Sequence, residues 1–232
     1  VSNRARSYVV LWVLALAFGQ IEASVVVYLR EITARAPFRE ADITGLQVSL
    51  VTLPANLVMV EVVREACTIF LLAAVAWLAG RRLADRAGAF LLSFGVWDLT
   101  YYAVLKIVLG WPANLGTWDI LFLIPLPWVA PVWAPGTVAT IFIAAGSYLF
   151  WAPEHPRTYR WPDIGVLTAS VLLTIASFLM EWRAAVQHSV PERFPSWLFW
   201  AGVVLGTAWF VWVERRATTE SGRRASPLVR GV

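Results

Sequence analysis

The chain has 232 residues, of which 59% are hydrophobic and only 15% charged, with a formal net charge of +4. A soluble domain carries about a quarter charged residues, so this composition excludes an ordinary soluble fold and leaves no room for a sizeable soluble domain. The positive balance has no basic face interleaved with exposed aromatics, which excludes nucleic-acid binding, and the single Cys67 excludes an intrachain disulfide or thiolate cluster.

Taken in chain order, Arg4 and Arg6 precede an apolar run that resembles a secretory leader. The run continues through Tyr28, too long for a leader, so a first transmembrane helix is expected over 8–29, carrying Glu22. The second helix ends at Gly80 and begins between Val48 and Val60. Its cleanest apolar stretch, Ala66 to Ala79, is shorter than the roughly 20 residues a span needs, so Glu61, Arg64 and Glu65 are drawn into the membrane with it. A third helix over 87–109 carries Asp98, Tyr102 and Lys106, the only lysine in the chain, and closes at the breaker Gly110-Trp111-Pro112.

The segment 118–151 has prolines at 125, 127, 131 and 135 and exceeds one span by about 14 residues. It is expected to contain a re-entrant or broken piece packed among other helices, a single kinked helix being the alternative. Further spans follow over 164–182 and 195–213. Residues 1–214 thus form a polytopic transmembrane domain, and the basic tail 215–232 is expected to be disordered. Gly95-Val-Trp-Asp-Leu99 recurs as Gly116-Thr-Trp-Asp-Ile120, but the sequels differ and no longer repeat is present.

Six crossings with both ends cytoplasmic satisfy the positive-inside rule. Arg4, Arg6, Arg81, Arg82, Arg86, Arg157, Arg160, Arg215, Arg216, Arg223, Arg224 and Arg230 then fall inside, against Arg30, Arg35, Arg39, Arg183 and Arg193 outside. The expected class is therefore an all-α, multi-pass protein of an inner (cytoplasmic) membrane.

In this topology Glu22, Glu61, Arg64, Glu65, Asp98, Lys106 and Asp119 share the outer half of the bilayer. Asp98, Tyr102 and Lys106 form one stripe of their helix; Glu61, Arg64, Glu65 and Thr68 form another. Each such charge costs about 2.5–3.5 kcal/mol at a helix centre, so they are expected to face one another or a wet cavity. A purely structural arrangement would pair Glu65 with Lys106 and Arg64 with Glu22. Acids outnumber bases, however, and buried pairs stabilise a bundle less efficiently than apolar packing.

Specific chemistries fare unevenly. Haem b is disfavoured because His155 and His188 fall in loops on opposite sides. Lys106 lies too shallow for a retinal-type Schiff base, Asp98 and Asp119 sit at different depths for an aspartate protease pair, and no serine-hydrolase elbow is present. Glu22, Glu61 and Glu65 could offer three oxygens to a divalent cation. Trp97, Tyr101, Tyr102, Trp118 and Trp128 could wall a pocket for a lipid headgroup or quinone. Cys67 reads as an inert thiol.

The expected function is binding, or acting on, a small or lipidic ligand reached from the outer side, with Glu22, Glu61, Arg64, Glu65, Asp98, Tyr102, Lys106 and Asp119 as the lining. The alternative is a non-catalytic accessory subunit whose charges tie it to other membrane subunits or to copies of itself. Transport by an oligomer comes third.

Overall fold

The computed structural model describes residues 3–34, 55–152, 160–186, 191 and 193–225. Arg35, Arg39, Arg157, Arg230, His155 and His188, and the start of the second helix before Ala55, lie outside the described residues. Six long helices, one short helix and a two-stranded hairpin run in the order α1 (Asn3–Ala34), α2 (Ala55–Ala79), α3 (Leu83–Leu109), β1 (Trp118–Phe122), β2 (Trp128–Pro131), α4 (Trp133–Trp151), α5 (Trp161–Leu179), α6 (Trp182–Val186) and α7 (Ser196–Ala225).

Among the described residues, five helical stretches are long and apolar enough to cross a membrane: 3–31, 83–109, 133–151, 161–184 and 196–217. Exposed apolar side chains agree with that. On these stretches Ile107 is 83% exposed and Trp197 72%, and on α2 Phe70 is 73% and Leu78 85%, more apolar surface than water tolerates on a monomer. The chain is a multi-pass membrane protein in contact with lipid.

The chain divides into two compact units. In the larger (1–151 with 179–194), α3 is the central element and packs against α1, α2 and α4. Lipid tails are as apolar as leucine, so burial alone does not hold these helices together; close van der Waals contact does. Small residues provide it. A Cβ at Gly95 would stand 2.5 Å from the Ala139 carbonyl oxygen, and one at Gly146 would stand 2.5 Å from the Leu92 nitrogen, so α3 and α4 meet backbone to backbone. Gly19 of α1 approaches Thr100 and the Trp97 carbonyl of α3 equally closely. Around these contacts Leu11, Ala15, Ala76, Ala89, Leu92, Val96 and Phe150 form one buried cluster. Near the start of α1, Arg4 donates to the Phe150 carbonyl at 2.7 Å and Tyr8 shares a hydrogen bond with Ser147 at 2.9 Å.

α3 ends where the breaker requires. Gly110 adopts φ 69°, a left-handed cap whose N–H reaches the Lys106 carbonyl at 3.1 Å. The long stem of Lys106 carries its ammonium back over this end, where Nζ donates to the carbonyls of Gly110 at 3.1 Å and Pro112 at 2.7 Å.

The proline-rich segment is a hairpin followed by a helix, which replaces the kinked single helix considered above. β1 and β2 pair antiparallel, with Asp119 opposite Ala130, Ile120 opposite Val129 and a bulge before Phe122 opposite Trp128. The ladder is prolonged by Val132 N–H to the Thr117 carbonyl and Trp133 N–H to the Leu115 carbonyl, both at 2.9 Å. Every proline stands where no ladder N–H is needed: Pro125 and Pro127 between the strands, Pro131 at the end of β2, and Pro135 in the first turn of α4. The ladder thus pairs much of the hairpin's backbone, the condition a non-helical piece must meet near hydrocarbon.

In the smaller unit (152–178 with 195–232), α5 and α7 pack through Gly202 and Gly206 against Thr174 and Ser170. Asp163, 1% exposed, accepts from Arg216 at 2.5 Å and from the Arg160 N–H at 2.8 Å. α7 continues to Ala225, so the polar stretch from 215 to 225, expected to be disordered, is helical; the last seven residues lie outside the described residues.

Candidate functional site

The site belongs wholly to the larger unit. α1 contributes Glu22, Val26 and Arg30, spaced i, i+4, i+8 and therefore on one stripe. α2 contributes Glu61, Arg64, Glu65 and Thr68, again one stripe; Glu61 and Glu65 are each 8% exposed and Thr68 4%. α3 turns Trp97, Asp98, Tyr101 and Tyr102 toward them, and β1 closes the fourth side with Asp119 to Phe122 and the following Leu123. These segments enclose a cavity of about 100 Å³.

Seven of the eight residues expected to form the polar lining meet here: Glu22, Glu61, Arg64, Glu65, Asp98, Tyr102 and Asp119. Lys106 does not. It lies on the stripe of Asp98 and Tyr102, but its ammonium binds the carbonyl end of its own helix, which takes it away from the acids. The expected Glu65–Lys106 pair is accordingly absent, and Glu65 Oε2 instead accepts the Leu123 N–H at 2.7 Å, pinning the hairpin to α2.

The expected Arg64–Glu22 pair is present, and Arg64 serves a second acid as well. Its guanidinium joins Glu22 of α1 and donates from Nε to Glu61 Oε2 at 2.8 Å. Tyr102 donates its phenol proton to Asp119 Oδ2 at 2.9 Å, which ties α3 to the hairpin. Arg30 lies over the Trp111 ring at 4.3 Å from its centroid.

Asp98 is different from the other acids. Among the described residues it has neither a hydrogen-bond donor nor an ion pair, though it lines the cavity with the others. Beside it Trp97 is 5% exposed, and its Nε1–H meets no acceptor. Counting the lining side chains, five carboxylates face two guanidiniums.

The hairpin revises two expectations. Asp119 shares a cavity with Asp98, so the depth difference inferred for these two residues does not keep them apart. Of the five aromatic residues expected as walls, Trp97, Tyr101 and Tyr102 line the cavity, whereas Trp118 stacks edge-on against Phe194 and Trp128 donates to the Ile124 carbonyl. The backbone of Leu123 and the Phe122 ring are the parts of the site that sequence reasoning missed. The available signal was two short apolar runs flanking Ile124-Pro-Leu-Pro127, a turn composition between strand-length pieces.

A divalent cation at Glu22, Glu61 and Glu65 finds little support in this geometry. Arg64 occupies the space between Glu22 and Glu61, and among the described residues no three His, Cys, Asp or Glu side chains gather as a metal-binding set. Cys67 is exposed and is not among the cavity-lining residues. No family model, curated protein or solved structure matches the chain, so the site is read from its own residues alone.

Proposed function

We propose that the chain crosses an inner membrane six times, through α1, α2, α3, α4, α5 and α7 with both ends cytoplasmic, and that the cavity in its outer half binds a small solute reached from the outer side. The orientation rests on the arginine asymmetry of the sequence. Under it, the hairpin enters from the outer side and runs down beside α3, with Asp119 at Tyr102 and Phe122 at Trp97 and Phe94, as far as Glu65 of α2.

The observation that carries the reading is the composition of the lining. Four segments converge on one cavity whose acids outnumber its bases, and one of those acids, Asp98, has no hydrogen-bond or ion-pair partner among the described residues. Ties between helices need no such surplus, because an unpaired charge destabilises the fold that holds it. Size narrows the ligand. Pockets for drug-sized molecules run to about 300–1,000 Å³, and a cavity of about 100 Å³ has space for a few water-sized groups. That favours a small solute over a quinone or a whole lipid headgroup.

The accessory-subunit reading retains one supporting observation, the double pairing of Arg64 that links α1 to α2. Native mass spectrometry of the protein released in mild detergent separates the two. A small-mass adduct that disappears in Asp98→Asn supports the binding site. A stoichiometric protein partner with no adduct overturns it in favour of the accessory role.

A further inference from the structure

Resting on the binding-site reading above, we infer that the ligand is a small monovalent organic cation, of the amine or guanidine class, held against Asp98. The charge balance requires a positive guest. Arg64 answers Glu22 and Glu61, Glu65 takes a neutral backbone N–H, and Asp119 takes a phenol with the Arg30 guanidinium in the same lining, so among the described residues Asp98 is the lining acid that no hydrogen bond or ion pair answers.

The walls select the kind of cation. Trp97, Tyr101, Tyr102 and Phe122 surround the acids with aromatic rings, surfaces that attract diffuse organic cations. A divalent metal would need several converging oxygens, and no such set exists among the described residues. The chain's own side chains show what this neighbourhood accepts: one guanidinium lies between two carboxylates, and another lies on the Trp111 ring. Volume limits the guest to a few heavy atoms.

The test uses the full-length protein in right-side-out vesicles, with Cys67→Ser to remove the exposed thiol and Thr68→Cys to place a thiol in the lining. A cationic and an anionic methanethiosulfonate reagent of similar size are applied from outside, with and without methylammonium or guanidinium at millimolar concentration. The cationic reagent is expected to react faster by about ten-fold or more, the range by which a charged cleft biases encounter. Asp98→Asn is expected to lower that ratio, and either small cation is expected to slow modification.

No reaction with either reagent, together with no rise in the unfolding midpoint of the unaltered chain with methylammonium, would overturn the binding-site reading itself. Equal rates would leave that reading standing and overturn the cationic ligand. A charge preference without protection by either cation would overturn it too. The unaltered chain provides a second measurement: methylammonium should raise the midpoint of thermal unfolding above that in equal sodium chloride, and no rise counts against the proposal.

Discussion

Arg64 and Asp98 are opposite cases of the same problem, a charge removed from water. Arg64 is surrounded by what it needs, with Glu22 on one side and Glu61 on the other. Arg64→Met leaves two enclosed carboxylates unanswered, and the expected loss is about 3 kcal/mol or more, measurable as a lower unfolding midpoint or as failure to accumulate in the membrane. Asp98→Asn removes a charge that has no partner among the described residues, so the fold is expected to be retained or slightly stabilised, while any bound cation is lost. The two substitutions therefore separate structure from function: one should reduce stability, the other binding. Glu65 lies between them. Glu65→Ala leaves the Leu123 N–H without its side-chain acceptor, a loss of about 1–3 kcal/mol in hairpin docking, detectable as faster proteolysis within 123–128.

At the scale of elements, the contact between α3 and α4 depends on glycines that carry no chemistry. Gly95→Leu would drive a side chain into the Ala139 carbonyl, so loss of a monodisperse folded protein is expected in size-exclusion chromatography. Gly136→Ala, on the same helix pair but with nothing within 4 Å, is expected to be silent. The acidic lining was legible in the sequence because each charge in a span is costly, and cost forces charges to share a place; period and depth then indicated which residues would meet. Lys106 was misread for a reason equally physical: periodicity reports the direction of a Cβ, but a four-carbon stem can turn along its helix and cap the carbonyl end. The sequence points to a re-entrant or broken segment and not to a hairpin, because proline signals only that a helix stops. Which strand then pairs with which depends on a ladder that no single segment encodes. The glycine contacts were invisible for a similar reason, since a small residue shows its purpose only against the neighbour it admits.

For the whole molecule, the cationic residues give the testable handle on orientation. Lys106 is exposed and sits at the end of α3 that the proposed topology turns outward. A membrane-impermeant amine reagent applied to right-side-out vesicles should modify it, identified by peptide mass, and modification only after permeabilisation would invert the topology. Inversion would leave the internal geometry of the cavity untouched but open it to the cytoplasm.

The bond between Arg64 and Glu22 also matters during synthesis. α1 emerges first and is apolar over most of its length, so it enters the bilayer on its own. α2 follows with Glu61, Arg64 and Glu65, a load of roughly 2.5–3.5 kcal/mol for each charge at the centre of a span and less toward the interface. The carboxylate of α1 is already waiting for that arginine, and α2 supplies its own second acid one turn away. The first helix is thus in a position to act as the template on which the second is inserted. Because a reporter placed after α2 is cytoplasmic when α2 inserts, a glycosylation site there should record more translocated chains when Glu22 is changed to leucine, even though the altered residue lies on a different helix.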